Sequence, residues 1–218
     1  MSWLKKIFGK KTIIDVMSTE ADFPVPFGYK TAWYAIKGET SLSVIEKLKL
    51  TVISEANWKI GLSGGGIFVS PVIDDYVLVI DLPHWSIDDV KGHGLEEVAK
   101  LFSELQYFGS HRMADYYAWA KSVDGKLLRC YSYVGGEGHL ENEGELTTEE
   151  LALGFDKYPK EDNFDEWTDE DWETAVFPDE ESVIGIAQAW GIDPLFCDGT
   201  FGNEKYEKNV GYLCRYSD

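Results

Sequence analysis

The dipeptide Asp124-Gly125 stands between two runs rich in aromatic and apolar residues, DYYAWAKSV and KLLRCYSYV. Asp-Gly is the strongest short signal for a two-residue β-hairpin, because both central residues of that turn take positive φ. Strands joined so tightly run antiparallel, since a parallel pair needs a long crossover. This hairpin therefore argues against a doubly wound fold, in which strands alternate with helices.

The rest of the chain extends the pattern. KTAWYAIK (residues 30–37) and QYFGSHR have the aromatic, alternating character of strands. NWKIGLS and GIFVSPVIDDYVLVIDLP predict three more, separated by Gly64, Gly65 and Gly66 and by a turn from Pro71 to Asp75. A last strand is expected at GYLCRY.

Helices are expected at three main places. Thr40 or Ser41 can cap the first, Ser43-x-x-Glu46 is a capping-box variant, and Leu42, Ile45 and Leu48 share a helical face. GLEEVAKLFSEL (94–105) places Leu95, Val98, Leu101, Phe102 and Leu105 at helix spacing. In FPDEESVIGIAQAWGIDP, Asp179 can cap a helix whose apolar side is Val183, Ile184, Ile186, Ala187 and Trp190. Gly191 then suits the left-handed stop, with Pro194 beyond it. A further short helix fits TTEELALGF.

The expected fold class is α+β: an antiparallel sheet of six or more strands with about three packed helices. Helix, strand, strand, strand occurs twice about fifty residues apart, which suggests an internal repeat. The expected organisation is a basic N-terminal tail over residues 1–12, then a single α+β domain over 13–218 with an acidic segment at 141–181.

Charge separates that segment from the remainder. Net charge is -19, and residues 141–181 contribute most of it, with 17 Asp and Glu against only Lys157 and Lys160. Such acidity disfavours direct nucleic-acid binding, which relies on Lys and Arg to neutralise phosphates. A basic partner, or solubility alone, fits better.

Cys130, Cys197 and Cys214 form no C-x-x-C pair, and reduced thiols in a cytoplasmic protein are the simplest expectation. The opening MSWLKKIFGKKTIIDV has no uninterrupted apolar core of the signal-peptide kind. Residues 1–11 could touch an anionic membrane surface as a short amphipathic helix, but a frayed tail is the simpler reading.

Chemical signatures are sparse. His111, Arg112 and Asp115 are the most catalytic-looking cluster: an imidazole oriented by a carboxylate can act as a base, and an adjacent Arg can hold an anion. With Tyr116 and Tyr131 they define an alternative ligand site. His84, His93, Asp81, Asp88 and Asp89 lie close in sequence without metal-ligand spacing. Gly64-Gly65-Gly66 lacks the phosphate-loop pattern and precedes a strand. The hydrolase, zinc-protease and cysteine-protease patterns are missing, which weighs against an enzyme. No catalytic residue, metal or cofactor is expected.

The stretch EDNFDEWTDEDWETAVFPDEE fails as a calcium loop, because Phe164 and Trp167 occupy positions that such a loop gives to a ligand and to glycine. A plain solvating chain accounts for its charges but less well for its tryptophans, since such chains are poor in aromatics. Its tryptophans either pack back on the sheet or serve as partner anchors, ringed by carboxylates that speed encounter with a basic surface. The expected partner-binding set is Phe164, Asp165, Glu166, Trp167, Asp169, Glu170, Asp171 and Trp172.

Across YFGSHRMADYYAWAKSVDGKLLRCYSYVG, NEGELTTEE and FPDEESVIGIAQAWGIDP the chain resembles a set of uncharacterised bacterial proteins sharing this hairpin and C-terminal helix. The resemblance spans about residues 30–195 and implies no activity. In size and acidity the chain also resembles immunity proteins, the cytoplasmic antidotes of bacterial toxins. The expected function is accordingly a cytoplasmic binding protein that neutralises a toxin. The alternative is a small enzyme or ligand-binding domain built around His111 and Arg112.

Overall fold

The computed structural model describes residues 20–63, 65–80, 94–158, 167–196 and 205–217. Its centre is a nine-stranded sheet with strands β1 (Ala32–Lys37), β2 (Leu50–Ala56), β3 (Ile67–Val69), β4 (Tyr76–Ile80), β5 (Glu104–His111), β6 (Tyr116–Val123), β7 (Lys126–Val134), β8 (Gly138–Glu143) and β9 (Gly211–Tyr216). Their spatial order is β2-β9-β3-β4-β1-β5-β6-β7-β8, and every neighbouring pair is antiparallel. The molecule is thus α+β with an open antiparallel sheet. The Asp124-Gly125 turn closes the β6–β7 hairpin with both residues at positive φ (50° and 71°).

Helices cover both faces, so the central strands are buried on each side. This is why YVLVI in β4 reads as a continuous apolar run instead of an alternating one. On one face, Trp33, Phe68, Leu78, Phe108, Trp119, Tyr131 and Tyr133 pack against helix α2 (Trp58–Gly61) and α6 (Glu180–Ala189). On the other, Tyr34, Val79, Tyr107, Tyr116, Ala118 and Cys130 meet Val44 and Ile45 of α1 (Ser41–Lys47) and Leu95 of α3 (Leu95–Ala99). Helix α4 (Thr148–Ala152), a 3-10 turn (Phe155–Lys157) and α5 (Asp169–Thr174) follow β8.

Several local expectations change. NWKIGLS is not a strand: the Asn57 side chain accepts from the Ile60 amide at 3.1 Å and starts α2, so capping outweighs the alternating pattern. The helix expected over 94–105 spans only Leu95–Ala99, because β5 claims the chain from Glu104. Leu101 therefore leaves the helical face and is exposed. In α1, Thr40 is the cap, whereas Ser43 donates to Glu39 instead of closing a box with Glu46. Leu42 faces solvent there, and Val44 joins Ile45 in the core. The glycines after Val134 lead into β8, a strand the sequence reading did not mark. Asp179 caps α6 as expected, with its carboxylate accepting from the Ser182 amide at 2.7 Å.

The basic tail, His84, His93, Asp81, Asp88, Asp89, Gly64 and Cys197 lie outside the described residues. Among the described helices none is long and apolar enough to cross a membrane.

Candidate functional site

Among the described residues, polar and aromatic side chains converge where β6, β7 and β8 meet α4 and the 3-10 turn. Residues 129, 131 and 133 of β7 point to the face covered by α6, following the two-residue period of a strand. Register pairs Tyr131 with Trp119 on β6 and with Asn142 on β8, and Tyr133 with His139. A row of rings results, with an arginine at its end.

That arginine, Arg129, is almost completely buried, and so is Glu150. Glu150 is the fourth residue of the box Thr147-x-x-Glu150, in which its carboxylate accepts from the Thr147 amide at 2.8 Å and Thr147 accepts from the Glu150 amide. Placed so, its Oε1 also accepts from Arg129 Nε and from Trp119 Nε1, each at 2.8 Å. Arg129 Nη1 donates to Asn142 Oδ1 at 2.9 Å and to the Glu143 carbonyl at 3.0 Å. One ion pair therefore joins β6, β7, β8 and α4.

Gly144 makes this approach feasible. Its φ is 80°, and a Cβ there would stand 2.0 Å from the Leu128 carbonyl oxygen. The chain can fold tightly against β7 only without a side chain at this position.

Above the ion pair is a pocket of about 220 Å³, lined by rings of Trp119, Tyr131, His139, Phe155 and Tyr158, with Asn142 and Asp156 among its polar residues. Trp119 and Tyr131 stack with centroids 4.3 Å apart and planes at 19°. Phe155 and Tyr158 stack at 4.8 Å and 21°. The Tyr158 hydroxyl donates to Ser182 Oγ at 2.8 Å, which ties the pocket wall to α6. Burial pushes the Tyr158 phenol up to about 12, its contact with Ser182 opposes this, and the negative charges of Asp179 and Glu150 push it the same way as burial.

The flanks of the acidic stretch both dock here. Tyr158 lies 6.3 Å, centroid to centroid, from Tyr131. Trp167 is half-buried against Phe177 at 6.0 Å, and Phe177 meets Tyr133 at 5.9 Å. Of the partner-binding set, Phe164, Asp165 and Glu166 lie outside the described residues. Asp169, Glu170, Asp171 and Trp172 fall in α5, and the Glu170 side chain is exposed.

The alternative ligand residues do not converge. Tyr116 is on the α1 and α3 face, where its hydroxyl is 3.3 Å from that of Tyr107, whereas Tyr131 is on the α6 face. His111 ends β5, and the chain turns back to Tyr116, its cross-strand partner. Arg112 pairs with Glu180 at 2.6 Å, and Asp115, at positive φ, accepts from Tyr117 at 3.4 Å. The described residues contain no group of three or more His, Cys, Asp or Glu arranged as metal ligands.

Sequence reasoning passed over Arg129 and Glu150. Two signals were available: the Thr-x-x-Glu box at 147–150, and a lone arginine inside the otherwise apolar core of KLLRCYSYV. Compared with known proteins, the chain matches no protein-family model, no curated protein and no solved structure.

Proposed function

We propose that this chain is a binding protein of the immunity type, cytoplasmic, which covers a basic surface of a protein toxin. The observation that carries the reading is that the acidic stretch is tied to one face of β7 from both sides: Tyr158, just before it, lies against Tyr131, and Phe177, near its end, lies against Tyr133 and carries Trp167. The described parts of the region that holds most of the net charge thus border a face packed with rings. Carboxylates speed association with a basic partner, and the buried rings hold the segment that carries them in place. Trp167 contributes chiefly by packing, while Glu143, Glu145, Asp156, Glu170 and Glu173 are exposed and supply charge.

The test starts from affinity purification of the tagged protein at low and at high salt, followed by association kinetics with the recovered partner. Changing Glu143, Asp156, Glu170 and Glu173 together to Lys is expected to slow association and flatten its dependence on salt. An unchanged rate and salt slope, or a partner without a basic surface, overturns the reading.

The small enzyme or ligand-binding domain around His111 and Arg112 has less support, since the Arg112 guanidinium is already paired with Glu180.

A further inference from the structure

We propose that the pocket between Trp119, Tyr131, Phe155 and Tyr158 receives an arginine side chain from the basic protein partner. This rests on the binding function proposed above and names the contact that would give it specificity.

Size narrows the occupant first. At about 220 Å³ the pocket is smaller than the usual range for drug-sized ligands, about 300–1,000 Å³, and suits one side chain. Its walls then favour a flat, weakly hydrated group. Two stacked ring pairs, Trp119 with Tyr131 and Phe155 with Tyr158, line it, and aromatic rings attract a guanidinium through their quadrupoles; Arg129 already stands 5.5 Å from the Tyr131 centroid.

Charge decides between a cation and an anion. Arg129 lines the pocket, yet both oxygens of the Glu150 carboxylate lie within 3.1 Å of its Nε, and its Nη1 is taken by Asn142 and the Glu143 carbonyl. The pair is neutral as a unit. Asp156 then leaves the lining with a net negative charge, within a segment that itself carries a large excess of carboxylates. A cation lowers the energy of this arrangement and an anion raises it.

The experiment titrates the full chain with N-acetyl-arginine amide and, separately, with N-acetyl-citrulline amide, its neutral isostere, following the Trp119 indole N–H by NMR. Saturable binding of the arginine compound is expected, at least about tenfold tighter than the citrulline compound, equivalent to about 1.4 kcal/mol. Equal affinity for the two, or no response from Trp119, overturns the proposal. Phe155→Leu is expected to weaken arginine binding several-fold. Should that variant misfold, the exposed Asp156→Asn supplies the same comparison: a weaker response to arginine alone supports the pocket, and an unchanged one counts against it. Failure here with an intact salt dependence of partner association removes the arginine pocket and leaves the binding function standing. Arginine binding together with a charge-independent partner association does the reverse.

Discussion

Arg129 Nε lies 2.8 Å from Glu150 Oε1, and the two side chains are 2% and 0% exposed. Taking both charges out of water is costly, and the geometry offsets that cost by giving Glu150 two further donors and Arg129 several carbonyl acceptors. Removing one partner strands the other. Glu150→Ala is therefore expected to cost about 3–5 kcal/mol, part of it from the lost helix cap. The double change Arg129→Met with Glu150→Leu should be clearly milder than the sum of the two single changes. Urea denaturation of the four proteins measures the coupling; a double variant that shows simple additivity would count against an interdependent pair.

How far the sequence disclosed this arrangement differs by residue. Asp124-Gly125 and Asp179 act through contacts within a few positions of themselves, so the hairpin and the α6 cap could be read locally. Trp119, Arg129 and Glu150 belong to three elements, and their meeting depends on the β6–β7 register and on where α4 lands. Periodicity says which face a residue takes, never which residue waits there. NWKIGLS failed for a different reason. Its alternation was genuine, but Asn57 capped a helix and Gly61 allowed that helix to sit against the Phe68 ring. The insertion of β9 between β2 and β3 was likewise invisible, since pairing of the last strand with two early ones carries no local mark.

Glu180 gathers a second junction. Its Oε1 accepts from the Lys30 amide at 3.1 Å and from Ser110 Oγ at 3.3 Å, and its Oε2 meets Arg112. Arg112 is about half exposed, so its side of the pair is screened by water and Arg112→Ala should cost about 1 kcal/mol or less. Glu180→Ala removes the charged acceptor of the Lys30 amide, which keeps only its 3.1 Å bond to Ser110 Oγ, and should cost about 1–3 kcal/mol. Hydrogen exchange at Lys30 distinguishes the two, with faster exchange expected only in the Glu180 variant.

Two helical glycines make opposite demands. Gly61→Ala gains about 1 kcal/mol of helix propensity, but its Cβ would lie 2.2 Å from the Phe68 ring, and such overpacking costs about 1–3 kcal/mol. Gly185 in α6 has only the Leu153 methyls near, both at 3.9 Å, so alanine fits there without displacement. Thermal midpoints should fall for Gly61→Ala and rise for Gly185→Ala. A rise in both would show that the α2 contact with Phe68 is loose.

Tyrosine burial is expected to make the fold less stable in alkali. Desolvation pushes Tyr76, Tyr117 and Tyr158 each up to about 12, with nearby Glu104, Asp115 and Asp179 among the charges acting in the same direction. In the unfolded chain these phenols ionise near 10, so the folded state holds their protons more tightly. Their contribution is complete below about pH 10 and is lost as pH rises from there through about 12. Urea midpoints are expected to be flat from pH 7 to 9 as far as these groups are concerned, then to decline steeply. Tyr158→Phe removes one titrating phenol at the pocket wall, along with its hydrogen bond to Ser182. The variant should be less stable at pH 8 yet lose less on going to pH 11.5, and a slope equal to that of the parent protein would mean that Tyr158 ionises as freely folded as unfolded.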